Sequence, residues 1–291
     1  MWNPRVVGWL IGDGNYGFDQ TPRIYNCESE INDYLKNNFN VKIYNQYKTK
    51  LGKDFQVTNI KGICPELRKL GIYGQIKQNK RLPINIDSYS KNDICELIGG
   101  LYDTDGYVSL RENNKRGHIM IEVSISQASL SLLTEIRFLL QKLGIHGTIR
   151  KRNPRLNNSK DKNSWYEYNI TDGESLLNFH KNIKLLPKQK QERLNQIPKY
   201  YINRKRGARH NNGIRFETIT NIEFLGNKEI YNLTADTTHT YIANGIITHN
   251  TGGEEGASFE GAEELIRNPD AYQIQAIKNK WEVGMENQNL G

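Results

Sequence analysis

Hydrophobic positions along the first 200 residues switch repeatedly between a helical and a strand period. Ile94, Leu97, Ile98 and Leu101 recur at helical spacing, and residues 129–143 are amphipathic at the same period. Residues 41–60 instead alternate (VKIYNQ, DFQVTN), the signature of half-buried strands. Asn3-Pro4 opens a first helix, with Asn as N-cap and Pro in the first turn. Strand-like stretches follow around 16–27 with a turn at 19–22, then a helix over 28–38, the hairpin of 41–60, and a helix near 65–70. Ser90 with Asp93 resembles a capping box and starts a second round. That round holds a helix, strands 107–111 and 118–126 around a polar turn, the helix 129–143, strands 148–151 and 165–170 with a polar tip at 153–163, and a helix at 174–183. Helix, hairpin, helix, hairpin, helix therefore occurs twice. The expected divisions are repeat one at 1–89, repeat two at 90–198, a basic linker at 199–213, a β-rich segment at 214–250, and a tail at 251–291.

The two repeats share a local pattern. VVGWLIGDG (6–14) and IGGLYDTDG (98–106) each carry small residues four apart followed by Asp-Gly: Gly8, Gly12, Asp13 and Gly100, Thr104, Asp105. Small residues at that spacing let two helices pack backbone to backbone, which brings both C-terminal ends together. A carboxylate there is opposed by the helix dipole by about 0.3–1 kcal/mol, and two side by side repel. A hard divalent cation bound through oxygen offsets both costs and suits phosphodiester cleavage. Asp103, two residues before Asp105, has no counterpart in the first repeat and reads as structural.

Charge agrees with a polyanionic partner. The chain is +8 overall, but residues 251–291 carry −5, which leaves +13 on residues 1–250. Arg111, Lys115, Arg150 and Arg152 sit in strand-like stretches from which side chains reach phosphates and base edges. Cys27, Cys64 and Cys95 lack CxxC spacing and read as isolated thiols. Without an apolar span or a signal segment the expected location is the cytoplasm, of a bacterial or phage-infected cell.

On the paired Asp-Gly helices, residues 3–198 resemble the LAGLIDADG homing endonucleases of the type found within inteins. The second motif is near the family pattern; in the first, Trp9 and Ile11 replace the usual Leu and Asp. The resemblance implies an α+β fold, a pseudo-twofold αββαββα pair in one monomeric chain, whose two four-stranded sheets saddle the major groove of double-stranded DNA. It implies Mg²⁺ held by Asp13 and Asp105 and one lysine per half: Lys80 in NKRLP (79–83), and Lys190, or nearly as well Lys188, in LLPKQKQERL (185–194). A catalytically inactive DNA-binding remnant is the alternative, ranked lower because both aspartates persist.

The stretch 229–251, EIYNLTADTTHTYIANGIITHNT, resembles the C-terminal splicing blocks of inteins, a partial Hint segment. Asn250 is placed to cyclise onto its own carbonyl and release Thr251, a hydroxyl nucleophile, with His249 and His239 as acid-base partners. Asn232 stands where the family often has Asp. Only five residues precede the first motif helix, so an N-terminal splicing fragment is expected in trans. The tail 251–291 resembles a piece of phage terminase large subunits, the expected C-extein; a terminase fragment interrupted by an intein is therefore a further reading.

Overall fold

The computed structural model describes residues 3–18, 21–50, 52, 54–113, 118–153 and 164–201, with short stretches at 210–211, 214–215, 219, 221, 240–243 and 246–249. The chain divides into two compact units, 1–216 and 217–291. In the first unit the expected order occurs twice. Repeat one runs α1 (Pro4–Asp13), β1 (Gly14–Asn15), β2 (Arg23–Asn26), α2 (Ser29–Asn38), β3 (Val41–Lys48), β4 (Asp54–Ile60) and α3 (Cys64–Lys69). Repeat two runs α4 (Lys91–Thr104), β5 (Gly106–Asn113), β6 (His118–Gln127), α5 (Leu130–Lys142), β7 (Thr148–Arg152), β8 (Trp165–Ile170) and α6 (Gly173–Asn182). Each repeat builds a four-stranded antiparallel sheet, ordered β1-β2-β4-β3 and β5-β6-β8-β7, so the two are related strand for strand.

Two short helices follow, α7 (Lys188–Leu194) and α8 (Ile197–Tyr201). The second runs across the expected start of the linker at 199 and packs on the first turn of α6, where the Tyr201 ring closes over Gly173. The first strand pair is shorter than expected. Tyr16 is not in a strand; its ring is fully buried in the core. In the second unit β11 (Thr240–Ala243) pairs with β12 (Ile246–His249), so the backbone of His249 ends a strand opposite Thr240. His239, Asn250, Thr251, Asn232, Lys115 and the 251–291 tail lie outside the described residues.

Both motif helices begin as their sequences require. The Asn3 side chain accepts from the backbone N–H groups of Arg5 (3.1 Å) and Val6 (3.3 Å), and Ser90 and Asp93 form a complete capping box. α1 is buried around nearly its whole circumference, with Val6, Val7, Trp9, Leu10 and Ile11 each at most 1% exposed. It lies against α4, whose Leu97, Ile98, Leu101 and Tyr102 are fully buried. The approach needs glycine. A Cβ on Gly8 would collide with the Leu97 carbonyl and sit 2.9 Å from the Leu101 nitrogen, and one on Gly100 would collide with the Arg5 carbonyl. At the next turn Gly12 faces Thr104, as the spacing predicts.

A buried ion pair fixes this helix pair. Arg5 Nε donates to Asp103 Oδ2 at 2.9 Å and Nη2 to Oδ1 at 3.3 Å, 98 residues away. Asp103 also accepts from Trp9 Nε1 (2.9 Å) and the Leu186 N–H (2.7 Å). Arg5 spends its remaining donors on Glu96 and the Lys184 carbonyl. Asp103 is thus held inside the helix pair, and Trp9 supplies a donor that a leucine there could not.

Candidate active site at the paired helix ends

Asp13 is the last residue of α1 and Asp105 caps α4, so the α1–α4 packing places both carboxylates at one end of the helix pair. The Asp105 carboxylate reaches across the repeat boundary: Oδ2 would lie 3.1 Å from a Cβ on Gly12. Burial pushes both carboxyls up. Asp13 rises from the ordinary 3.8 to about 7, first through loss of water and then through the charge of Asp105. Lys190 and Lys80 pull it back only in part. Asp105 is raised by burial and steadied by Lys80, Lys190 and a 2.6 Å hydrogen bond from Gln127 Nε2.

Neither motif helix has a basic residue in its last turn, and the final carbonyls of a helix have no partner within it. Two distant lysines supply one. Lys80 Nζ donates to the carbonyls of Ile11 (2.6 Å), Gly12 (2.7 Å) and Gly14 (3.2 Å). Lys190 Nζ donates to those of Tyr102 (3.1 Å), Asp103 (2.6 Å) and Thr104 (3.0 Å). Lys190 thus stands at the α4 end, whereas Lys188 is exposed and its backbone N–H bonds Glu30 Oε1 at 3.0 Å. Burial lowers the pKa of both ammonium groups, while Asp105 and Asp13 oppose that shift for each, joined at Lys190 by Glu28 and Asp103. The Lys80 ammonium also lies 5.6 Å from the Tyr16 ring centroid.

A cleft of about 580 Å³ opens beside these groups, lined by Gly12, Asn15, Lys80, Asp105, Gln127 and Trp165 among others. Among the described residues no three His, Cys, Asp or Glu side chains gather as a ready metal cage. A pair of carboxylates with an open cleft fits a cation that keeps waters and takes substrate oxygens, the habit of Mg²⁺, better than one demanding four protein ligands.

Strand register locates the basic residues. Residues directly opposite in an antiparallel pair share a face. Arg111 pairs with Met120, Arg150 with Glu167, and Arg152 with Trp165, all on the face of the second sheet turned away from the core side chains Val108, Val123, Ile125 and Tyr168. Arg111 and Arg150 are exposed there, whereas Arg152 is tied to Glu167 by Nη2 at 2.5 Å and Nε at 2.6 Å. The open face of the first sheet carries Tyr25, Phe55 and Tyr47 in contact, with Arg23 stacked 4.1 Å and Lys42 4.8 Å from the Tyr44 ring centroid. These aromatic and basic residues, like Gln127 and Glu28 at the carboxylates, were not among the sequence candidates. Only the register shows that they share a face.

Residues 92–184, from α4 through α6, match the LAGLIDADG-like domain. The chain is similar to a probable translation initiation factor IF-2 of Methanocaldococcus jannaschii, 29% identical over 196 residues that cover 66% of this chain and 16% of that protein. It is 30% identical over 132 residues to the ATP-dependent DNA helicase Hel308 of the same organism, covering 42% of this chain and 10% of the relative. A DNA polymerase of Thermococcus sp. is 25% identical over 265 residues, 87% of this chain and 15% of that protein. The chain thus spans less than a fifth of the length of these curated relatives. Among solved structures, the LAGLIDADG homing endonuclease I-GzeII in complex with its DNA target aligns with 14% identity and a TM-score of 0.38, over 68% of this chain and 89% of that one. No helix among the described residues is long and apolar enough to cross a membrane.

Proposed function

We propose that this chain is a site-specific double-strand DNA endonuclease of the LAGLIDADG homing type, carried within an intein. The observation that carries the reading is the doubled arrangement at the helix ends: two carboxylates, each on a helix whose last carbonyls hold a lysine from its own repeat. Asp13 and Asp105 would hold Mg²⁺, which when bound supplies charge stabilisation at the cleaved phosphodiester. Lys80 and Lys190 keep their ammonium groups beside the carboxylates without pairing to them directly, so each is placed to orient an attacking water or steady the charge on the phosphorane. Gln127 fixes the Asp105 carboxylate. Arg111 and Arg150, with Arg152 beside Glu167, serve the duplex along the open face of the second sheet; Lys115 would add a further phosphate contact, in keeping with the +13 on residues 1–250. Both repeats lie in one chain, so a monomer supplies both carboxylates.

The carriage within an intein draws support from the relatives. An initiation factor, a helicase and a polymerase bear unrelated names, yet each matches this chain over 10–16% of its own length. One module set into unrelated hosts produces that pattern. Asn250, Thr251, His249 and His239 would then carry C-terminal cleavage, with an N-terminal fragment as partner and a terminase-like extein in the tail.

The test is selection of cleaved duplexes from a randomised library in Mg²⁺. The wild type is expected to make double-strand breaks at one enriched sequence, while Asp13→Asn and Asp105→Asn each abolish them. Cutting that is unchanged in both variants overturns the assignment. For the splicing segment, mass spectrometry of the full chain with an N-terminal partner should show scission after residue 250 that Asn250→Ala removes.

A further inference from the structure

Gln127 and Asn26 occupy one position in the two repeats. Gly14 pairs with Ile24 and Gly106 with Ile125, so the strands β2 and β6 align with Ile24 on Ile125, and each strand ends two residues later, at Asn26 and Gln127. Both side chains fall on the inward face, at 2% and 8% exposure. Two residues further on, Glu28 and Ser129 are the N-caps of α2 and α5. The equivalence breaks at the amide. Gln127 Nε2 reaches Asp105 Oδ2 at 2.6 Å. Asn26, one methylene shorter, turns its Oδ1 back to the Glu28 N–H at 2.5 Å, and its buried Nδ2 has no partner among the described residues. No side chain of β2 thus does for Asp13 what Gln127 does for Asp105.

We propose that Asn26 and Gln127 are a short and a long form of one positioning residue, and that the difference makes the two DNA strands break at unequal rates. This rests on the endonuclease reading. A carboxylate held in one orientation presents its free oxygen to a cation in a fixed place. An unheld one must be ordered as the cation binds, and outer partners of this kind are worth about 10–100-fold in affinity or activity. The half served by Asp105 is the prepared half; the half served by Asp13 lags, and a nicked duplex accumulates between the two cuts.

The experiment follows each labelled strand of the selected target separately, in wild type, Asn26→Gln, Gln127→Asn and the double exchange. Wild type should show strand rates about tenfold apart. Asn26→Gln should raise the slower strand alone and Gln127→Asn should lower the faster alone. The double exchange should reverse the order, which a general loss of stability cannot do. Calorimetric titration of Ca²⁺ into the protein–DNA complex supplies a readout apart from cleavage: two unequal binding steps in wild type and two matched steps in Asn26→Gln. Equal strand rates in wild type, or an order unchanged by the double exchange, overturns the proposal while leaving the nuclease reading intact. Absence of any cutting overturns the nuclease reading itself. Should Asn26→Gln fail to fold in its buried site, Gln127→Asn decides alone, since it must slow one strand and spare the other.

Discussion

Replacing Asp13 by Asn should make the metal-free protein more stable at pH 8 than at pH 5, relative to wild type. The Asp13 carboxyl is lifted from 3.8 to about 7, chiefly by burial and next by the Asp105 charge. Between those limits the folded chain holds a proton that the unfolded chain has released. Folding therefore takes up a proton in this window, and stability falls as pH rises. The contribution of Asp13 is neutral below about pH 4, declines through the window, and is fully unfavourable above pH 7. A displacement of about three pH units, at roughly 1.4 kcal/mol each, amounts to about 4 kcal/mol of destabilisation at pH 8. At pH 5 only about a third of it is present.

Asn has nearly the shape of protonated Asp and cannot ionise, so Asp13→Asn should gain roughly 2–3 kcal/mol on wild type between pH 5 and pH 8. Urea denaturation in a chelating buffer at the two pH values measures the difference as a shift in midpoint at constant m-value. Added Mg²⁺ should then stabilise wild type at pH 8 by mass action and leave the variant unmoved. Parallel curves for the two proteins across pH 5–8 would falsify the claim that Asp13 is held as a half-buried, repelled carboxylate.

Other changes test the frame around the site. Gly8→Ala drives a methyl into the Leu97 carbonyl and should cost about 1–3 kcal/mol in chemical denaturation, with loss of cleavage because the helix ends separate. Arg5→Met leaves Asp103 charged and buried and should cost about 3–5 kcal/mol; adding Asp103→Asn, which removes the charge but keeps an acceptor for only one of the Trp9 and Leu186 donors, should recover part of it. Lys80→Met and Lys190→Met each leave three helix-end carbonyls without their donor, and each should lower cleavage about 10²-fold while target binding changes little, as read by gel shift. Arg150→Ala should weaken DNA binding and lower its salt dependence by about one counterion if the side chain meets a phosphate.

What the sequence disclosed of this site was what local spacing encodes. Gly8, Gly12, Gly100 and Thr104 lie four apart within single helices, so their common face and the convergence of Asp13 with Asp105 could be read directly. Lys80 was reached through likeness of the NKRLP segment, and Lys190 was chosen over Lys188 by a narrow margin. Only the hydrogen bonds to Tyr102, Asp103 and Thr104 separate those two. Asp103 stood out in the sequence only as a residue without a counterpart in the first repeat, and Arg5 did not stand out at all. Their pairing spans 98 residues, and no periodicity carries that. Gln127 and Asn26 were hidden for another reason: their equivalence exists in strand register, set by Gly14–Ile24 and Gly106–Ile125, and a short β1 of two residues left that register unreadable beforehand.

The segments bearing the two lysines also explain why a duplicated chain closes around one centre. Lys80 caps α1 of its own repeat, but its neighbours dock on repeat two. The Lys80 carbonyl accepts from Ser129 Oγ at 2.8 Å, the Leu82 N–H bonds Glu135 at 2.9 Å, and Arg81 pairs with Glu135. Lys190 caps α4 of its own repeat, and its neighbour Lys188 docks on Glu30 of repeat one. Each half thus places its lysine only when the other half is folded against it. The exchange is reciprocal but not identical, since the N-cap Ser129 of one repeat is matched by Glu28 in the other, whose charge acts on both Asp13 and Lys190. Once both copies share a chain, each side of the centre can drift independently. The two repeats differ at positions that border the carboxylates, Asn26 against Gln127 and Glu28 against Ser129, while Gly8 and Gly100, which let the helices approach, are the same in both.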